Sequence, residues 1–306
     1  LSDLKELESS KDELNKLGIF YHMNEDNIHD WMAVIKGTEN TPYEESYFLF
    51  KIKIPNIANK DKGSYPMVPP HFKFCTRDGI TRFNPNLYID GKVCVSLLNT
   101  WNGPSWTPVY TLKTILLTIQ AEIMNENPLV NEPGWENASK KDYNRYNTII
   151  QYKSLEIACL NIFNKKYNLG YFSVFYDKIK ENITKNYEKI LTLIDNLIKK
   201  NPSIETIKMP CYSKNIQVDF KSLKHRFLDL NCSSESKNNS SIPIKEESKI
   251  TNQSTLVNPS IHSNKGTISS DNTQINVQVK KKRYAPSVPA KIYDEGFICK
   301  SENDNN

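Results

Sequence analysis

The most informative stretch of this 306-residue chain is Arg82-Phe-Asn-Pro-Asn-Leu-Tyr-Ile-Asp-Gly-Lys-Val-Cys-Val-Ser-Leu-Leu98. Within it, Cys94 follows Asn86 by eight residues, which pairs one thiol with one side-chain amide donor. No histidine lies between His71 and His225. A cysteine hydrolase needs a histidine base within hydrogen-bond reach of its thiol. The pattern therefore favours a cysteine that passes an acyl group on over one that hydrolyses it.

Three further motifs flank this stretch in a defined order. A proline-rich turn, Tyr65-Pro-Met-Val-Pro-Pro70, precedes it, and two motifs follow it: Thr100-Trp-Asn-Gly-Pro-Ser-Trp106 and Glu126-Asn-Pro-Leu-Val-Asn-Glu-Pro-Gly134. Together with Asn84-Pro85-Asn86 and Cys94, these motifs resemble the ubiquitin-conjugating enzyme family, and within it the large Z-type enzymes with a helical C-terminal extension. The resemblance is strong over about residues 1–160 and weakens towards residue 230.

The order of predicted strands agrees with the fold that this resemblance implies. Strand-like segments cover residues 28–35, 47–54 and 71–76, and a fourth strand is expected in the irregular region before Cys94. Strands in series without intervening helices indicate an antiparallel meander. We therefore expect an α+β chain with the ubiquitin-conjugating (UBC) fold: a four-stranded antiparallel meander with flanking helices, plus a helical C-terminal extension.

The helix predictions follow from apolar residues at helical spacing. A first helix is expected over residues 2–17, and a second from Leu112 with Thr111 as its N-cap. Further helices are expected over residues 141–161, over 172–198 (one long helix, or two broken near Asn182) and over 220–230. The predicted organisation is a catalytic core at 1–162, a helical extension at 163–230 and a low-complexity, disordered tail at 231–306.

The resemblance implies a role for each residue near the thiol. Cys94 would be the thioester nucleophile, and Asn86 would stabilise the oxyanion, with a purely local turn-bonding role as its alternative. Asn84, which stands where the family usually has His, would brace the turn with Pro85. Glu132 would be an acid that orients the incoming lysine, or else a solvated loop acid. The remaining candidates line the acceptor side of the site: Tyr88, Ser96, Asn99 and Trp101.

The resemblance further implies a transferase of the ubiquitin-like conjugation pathway, which depends on ATP. Its partners would be ubiquitin or a ubiquitin-like protein, an activating enzyme, a ubiquitin ligase and a substrate lysine. Two alternatives remain open: a catalytically silent binding scaffold of the same fold, and a cysteine protease or deubiquitinase. The six cysteines are widely scattered and the five histidines do not cluster, so neither a metal site nor a cofactor is expected.

Bulk composition adds limits on partners and location. The net charge of +5 is too small and dispersed to indicate a nucleic-acid partner. The sequence has no apolar run of 18 residues, which gives no indication of a membrane partner. We expect a cytoplasmic protein. The run Lys280-Lys-Lys-Arg283 is interpreted as a solvated charge run, with a nuclear-import signal as its alternative.

Overall fold

The computed structural model describes residues 2–56 and 63–238, and a four-stranded sheet is its central element. The strands are β1 (Ile19–Met23), β2 (Asp30–Lys36), β3 (Tyr47–Lys53) and β4 (His71–Phe74). They pair in the order β1-β2-β3-β4, and every neighbouring pair is antiparallel. The predicted antiparallel meander is therefore confirmed.

One strand of the meander lies away from its predicted place. The first strand of the sheet is β1, which was not predicted. The strand predicted before Cys94 is wrong, because that region forms turns and isolated bridges such as Leu87 with Val93. The segment Ile19-Phe-Tyr-His-Met23 was missed because its apolar residues run consecutively, without the alternation that marks a half-buried strand. It is also a short edge strand, paired only with β2.

The helices that flank the sheet are α1 (Ser2–Ser9), α2 (Lys11–Lys16), α3 (Leu112–Thr118), α4 (Lys140–Leu155) and α5 (Asn161–Phe163). The single helix predicted for residues 2–17 is divided at Ser10. π-Helical turns extend α3 over Ile119–Ile123 and join α4 to α5 over Glu156–Leu160. The side chain of Thr111 accepts a hydrogen bond from the backbone N–H of Thr114, which confirms the predicted N-cap.

The C-terminal extension contains three helices and a β-hairpin. Its helices are α6 (Tyr176–Lys185), α7 (Tyr187–Lys200) and α8 (Phe220–Asn238), and a 3-10 helix covers Gly170–Phe175. The break in the predicted long helix falls at Asn186, four residues after the predicted position. Between α7 and α8, β5 (Glu205–Lys208) pairs with β6 (Asn215–Val218). The predicted helical extension is confirmed, and it contains in addition this short hairpin, which was not predicted.

The sheet is buried on both faces, and the extension covers one of them. Side chains alternate along β3, so Tyr47 and Lys51 point to one face and Phe48 to the other. On the first face, Tyr47 is fully buried, and the ammonium of Lys51 lies 4.9 Å from the ring centroid of Tyr171 in the extension. On the second face, Phe48 packs in an aromatic cluster with Tyr43, Phe74 and Phe83. The core and the extension therefore share one hydrophobic interior.

The last helix crosses the boundary that the sequence predicted for the tail. α8 continues to Asn238, so the first eight residues of the predicted 231–306 tail are helical. Residues 239–306, which include the run Lys280–Arg283, lie outside the described part of the chain. Among the helices that are described, none combines the length and apolar composition needed to cross a membrane.

Candidate functional site

A buried polar turn, Asn84-Pro85-Asn86, forms the base of the site. Asn84 is fully buried, and its Nδ2 donates to the Tyr43 hydroxyl at 2.9 Å and to the Ile123 carbonyl at 2.6 Å. Its Oδ1 accepts from the backbone N–H of Asn86 at 2.8 Å. The last carbonyls of a helix need partners from outside the helix, and Asn84 supplies one to the turn that ends the α3 segment. Asn84 thus ties the turn to the core.

Asn86 and Cys94 are joined by two hydrogen bonds. The backbone N–H of Cys94 donates to the Asn86 carbonyl at 2.9 Å, and Nδ2 of Asn86 donates to the Cys94 carbonyl at 2.7 Å. Between these two residues the chain reverses in a turn, in which the N–H of Tyr88 donates to the Lys92 carbonyl at 2.9 Å. The Asn86 side chain therefore does bond local backbone, as its alternative role requires. An amide nitrogen carries two hydrogens, so one remains beyond the bond to Cys94.

The Cys94 side chain is buried, with 1% of its surface exposed. Burial raises the pKa of its thiol above the usual value, and Lys92, a hydrogen bond from the Tyr88 side chain and Arg82 act in the opposite direction. Desolvation disfavours the charged thiolate, whereas nearby positive charge and hydrogen bonds favour it. The thiol is therefore mostly protonated at neutral pH. Because only the thiolate is nucleophilic, this small thiolate fraction is suited to an acyl donor that is already activated, such as a thioester.

Arg82 is close to two tyrosine rings. Its guanidinium carbon is 3.4 Å from the ring centroid of Tyr88 and 4.9 Å from that of Tyr212. Nη2 of Arg82 also donates to the Pro85 carbonyl at 2.7 Å. A guanidinium over an aromatic face is attracted by the ring quadrupole, by about 0.5–2 kcal/mol. Arg82 therefore connects the base of the site to Tyr212, a residue of the C-terminal extension.

Glu132 lies just after the 3-10 helix Pro128–Asn131, at the end of the loop that follows α3. Its Oε2 accepts a hydrogen bond from the Tyr212 hydroxyl at 2.7 Å. Burial and this bond both raise the pKa of Tyr212, so its hydroxyl stays protonated and donates. Asn131 points elsewhere, and its amide donates to the Glu122 carbonyl at 3.4 Å. Glu132 is thus held by a partner rather than freely solvated.

Comparison with known proteins identifies the family. Residues 2–154, half of the chain, match the family described as "Ubiquitin-conjugating enzyme". The chain belongs to the ubiquitin-conjugating enzyme family. "Ubiquitin-conjugating enzyme E2 Z" of Xenopus tropicalis is 40% identical over 136 residues, which cover 44% of this chain and 41% of that protein. The human protein of the same name is also 40% identical over 136 residues, covering 44% of this chain and 36% of its own length.

The chain therefore aligns with about two fifths of the length of these relatives. Among solved structures, the E2 domain of a Toxoplasma gondii ubiquitin conjugating enzyme is 26% identical in sequence. That comparison covers 58% of this chain and 93% of the other, with a TM-score of 0.32. The sequence relatives support the predicted closeness to the Z-type branch of the ubiquitin-conjugating family.

The structure places three of the four acceptor-side candidates on the loop after Cys94. Ser96 begins a 3-10 turn that ends at Leu98, and Asn99 follows it with a left-handed φ of 55°. The Asn99 side chain accepts from the backbone N–H of Trp106 at 2.8 Å, which fixes the loop, while Trp101 is exposed at its tip. The fourth candidate, Tyr88, precedes Cys94 in the sequence, and its ring lies against the Arg82 guanidinium. Their roles in this member of the ubiquitin-conjugating family stay predictions.

Two residues of the site were not predicted: Arg82 and Tyr212. Arg82 stands at the start of the motif stretch, and a single arginine carries no pattern by which a role could be recognised. Tyr212 lies 80 residues beyond Glu132, so only the folded chain brings the two together.

One acidic cluster in the described residues has metal-ligand geometry. The carboxylates of Glu39, Glu44 and Glu45 lie within 4.8 Å of one another. Lys189 of α7 forms ion pairs with all three, at 3.4 Å to Glu44 and 2.9 Å to Glu45, and Lys36 pairs with Glu45 at 2.7 Å. Two ammonium groups already neutralise most of this charge. We interpret the cluster as an ion-pair network that fastens α7 to the connection between β2 and β3.

Proposed function

We propose that the chain carries ubiquitin, or a ubiquitin-like protein, as a thioester on Cys94 and passes it to a lysine of a substrate together with a ligase. In the first step, the Cys94 thiolate attacks the carbonyl carbon of the thioester on an activating enzyme. A new C–S bond forms at Cys94, the old C–S bond breaks, and the activating enzyme's sulfur takes up a proton. ATP is consumed earlier, when the activating enzyme forms its own thioester.

In the second step, the amine of a substrate lysine attacks the thioester carbonyl. A C–N bond forms, the C–S bond breaks, and the Cys94 sulfur regains a proton as the amine loses one. Negative charge develops on the carbonyl oxygen, and a side-chain amide stabilises it without acting as a base. We assign this role to Asn86, because its amide is fixed beside Cys94 and has a second hydrogen to donate.

The observation that carries the proposal is the pair of bonds between Asn86 and Cys94, built on the buried Asn84 turn. The two bonds hold a neutral donor beside a thiol whose thiolate form is favoured by Lys92 and Arg82 and opposed by Asp90. Losing one oxyanion donor costs about 10²–10³ in rate in enzymes that use one. A scaffold without catalysis would have no use for a thiol in this setting.

Burial of Cys94 sets a condition on the mechanism. The sulfur must become accessible before it can meet a protein-bound thioester, and Tyr88 is one of the neighbours that influence the pKa of the thiol. We therefore include in the proposal a movement of Tyr88 on binding of the activating enzyme. The amine step also needs a group that orients the incoming lysine, and Glu132 is the acid assigned to that task.

A charging assay tests the proposal. The full chain is mixed with ATP, ubiquitin or another modifier, and a set of activating enzymes, and the products are separated on non-reducing gels. We expect a thiol-sensitive adduct. In Cys94→Ser the adduct becomes a thiol-resistant ester, and in Cys94→Ala it disappears.

Cys75→Ser is the matched control for these variants. Cys75 is also buried, and its sulfur donates to the Lys73 carbonyl at 3.5 Å, a bond that a serine hydroxyl can replace. This variant should charge like the parent chain. Failure of every activating enzyme to charge the parent chain would contradict the proposal and favour a binding scaffold.

A further inference from the structure

The extension reaches the site through the tip of the β5–β6 hairpin. The N–H of Met209 donates to the Lys214 carbonyl at 2.8 Å, which closes the tip, and Met209 itself is buried. On the strands, Ile207 and Ile216 are buried as well. Tyr212 is therefore presented from a short, hydrogen-bonded turn on a packed hairpin, and its backbone position is well defined.

The Tyr212 ring is also fixed by its neighbours. The ring centroid lies 4.9 Å from the guanidinium carbon of Arg82, which is itself 3.4 Å from the ring centroid of Tyr88. The hydroxyl then reaches the Glu132 carboxylate at 2.7 Å. A hydrogen bond to an ionised acceptor is shorter and stronger than one between neutral groups. The loop acid is consequently held at one oxygen by a donor that the extension supplies.

We propose that Tyr212 is a positioning residue for lysine transfer, which holds the Glu132 carboxylate in the orientation that receives the incoming amine. The inference rests on the proposed function, since Glu132 has this task only if Cys94 carries a thioester. It assigns to the extension a direct part in the chemistry of the site. The catalytic contact remains that of Glu132 with the substrate amine, and Tyr212 acts through it.

Tyr212→Phe is the sharpest test, because it keeps the ring on Arg82 and removes only the hydroxyl. The full chain is charged with ubiquitin, the activating enzyme is then quenched, and discharge is followed at increasing concentrations of free lysine. Charging should be unchanged. The maximal discharge rate should fall about tenfold, which corresponds to about 1.4 kcal/mol, since a bond to a charged group is lost and water replaces it only in part.

Two further readouts separate positioning from general loosening of the fold. The lysine concentration that gives half the maximal rate should change less than twofold, because the charge that attracts the amine is still present. Hydrolysis of the thioester in the absence of lysine should be unchanged, because that reaction does not use an oriented amine. In Glu132→Gln, adding Tyr212→Phe should cause no further loss, since the two side chains act as one unit.

Tyr187→Phe is the matched control. Its hydroxyl donates to the Phe227 carbonyl at 2.9 Å, so the variant loses a tyrosine hydrogen bond within the same extension but away from the site. It should discharge like the parent chain. If the parent chain cannot be charged, the proposed function fails. If it charges and Tyr212→Phe discharges at the parental rate, or loses charging and hydrolysis equally, only the positioning role is overturned.

Discussion

Replacement of Asn84 by Ala tests how the base of the site is built. The side chain is fully buried and makes three hydrogen bonds, to the Tyr43 hydroxyl, the Ile123 carbonyl and the Asn86 N–H. Alanine leaves the Ile123 carbonyl and the Asn86 N–H unpaired in the interior. The Tyr43 hydroxyl keeps a partner, because it also donates to the Phe83 carbonyl at 2.8 Å.

The magnitude follows from these two orphaned groups. Each buried donor or acceptor left without a partner costs about 1–3 kcal/mol, so the two together cost about 4 kcal/mol. That is a large part of the total stability of a typical domain, about 5–15 kcal/mol. The variant should therefore unfold at a clearly lower urea concentration with an unchanged slope. Its charging, measured at low temperature where it is still folded, should also fall, since the turn no longer anchors Asn86.

Asn164→Ala is the control for this experiment. The Asn164 side chain accepts one exposed hydrogen bond, from the N–H of Lys166 at 3.0 Å, and water can replace that bond. We expect this variant to lose less than about 1 kcal/mol. Equal, small losses in Asn84→Ala and Asn164→Ala would refute the reasoning, because the Asn84 network would then contribute nothing beyond a surface bond.

Three other perturbations have defined outcomes. Lys92→Gln removes the strongest charge that lowers the Cys94 pKa, so that pKa should rise further. Alkylation of Cys94 by iodoacetamide at pH 7.5 should then slow severalfold, and its rate–pH profile should move to higher pH. An unchanged profile would contradict the assignment. Lys189→Met removes one of two lysines paired with the buried Glu45. Because Lys189 is itself partly exposed and the other lysine remains, the free energy of unfolding in urea should fall by about 1–2 kcal/mol, and by less in high salt. A loss that does not depend on salt would argue against an ionic origin. Thr111→Ala removes the N-cap of α3 and should cost about 1 kcal/mol, which Thr111→Ser should largely restore.

The parts of the fold that depend on local pattern were predictable. Leu112, Ile115 and Ile119 lie at helical spacing, and all three are buried in the structure. Thr111 has the side chain that an N-cap requires, and it caps α3. These features depend on residues three or four apart, so the sequence alone contains the information.

The parts that depend on distant contacts were not predictable. β1 has no alternation, because both its faces meet other elements, and the β5–β6 hairpin has only four-residue strands that gain stability by packing on α4. The ring of Tyr212 reaches Arg82 and its hydroxyl reaches Glu132 only after that hairpin has folded. A motif shows that a thiol and an amide are near each other, but it cannot show which remote loop completes their surroundings.

The burial of both sheet faces also determines how a bound partner would be presented to Cys94. Because the extension shares its interior with the sheet, it cannot swing as a tethered arm. A protein docked on the outer surface of α6 or α7 would be held at a fixed distance and orientation relative to the thioester. Acceptor choice would then depend on which lysine of the docked protein lies along that line of approach. Two partners with equal affinity but different shapes would be modified at different positions.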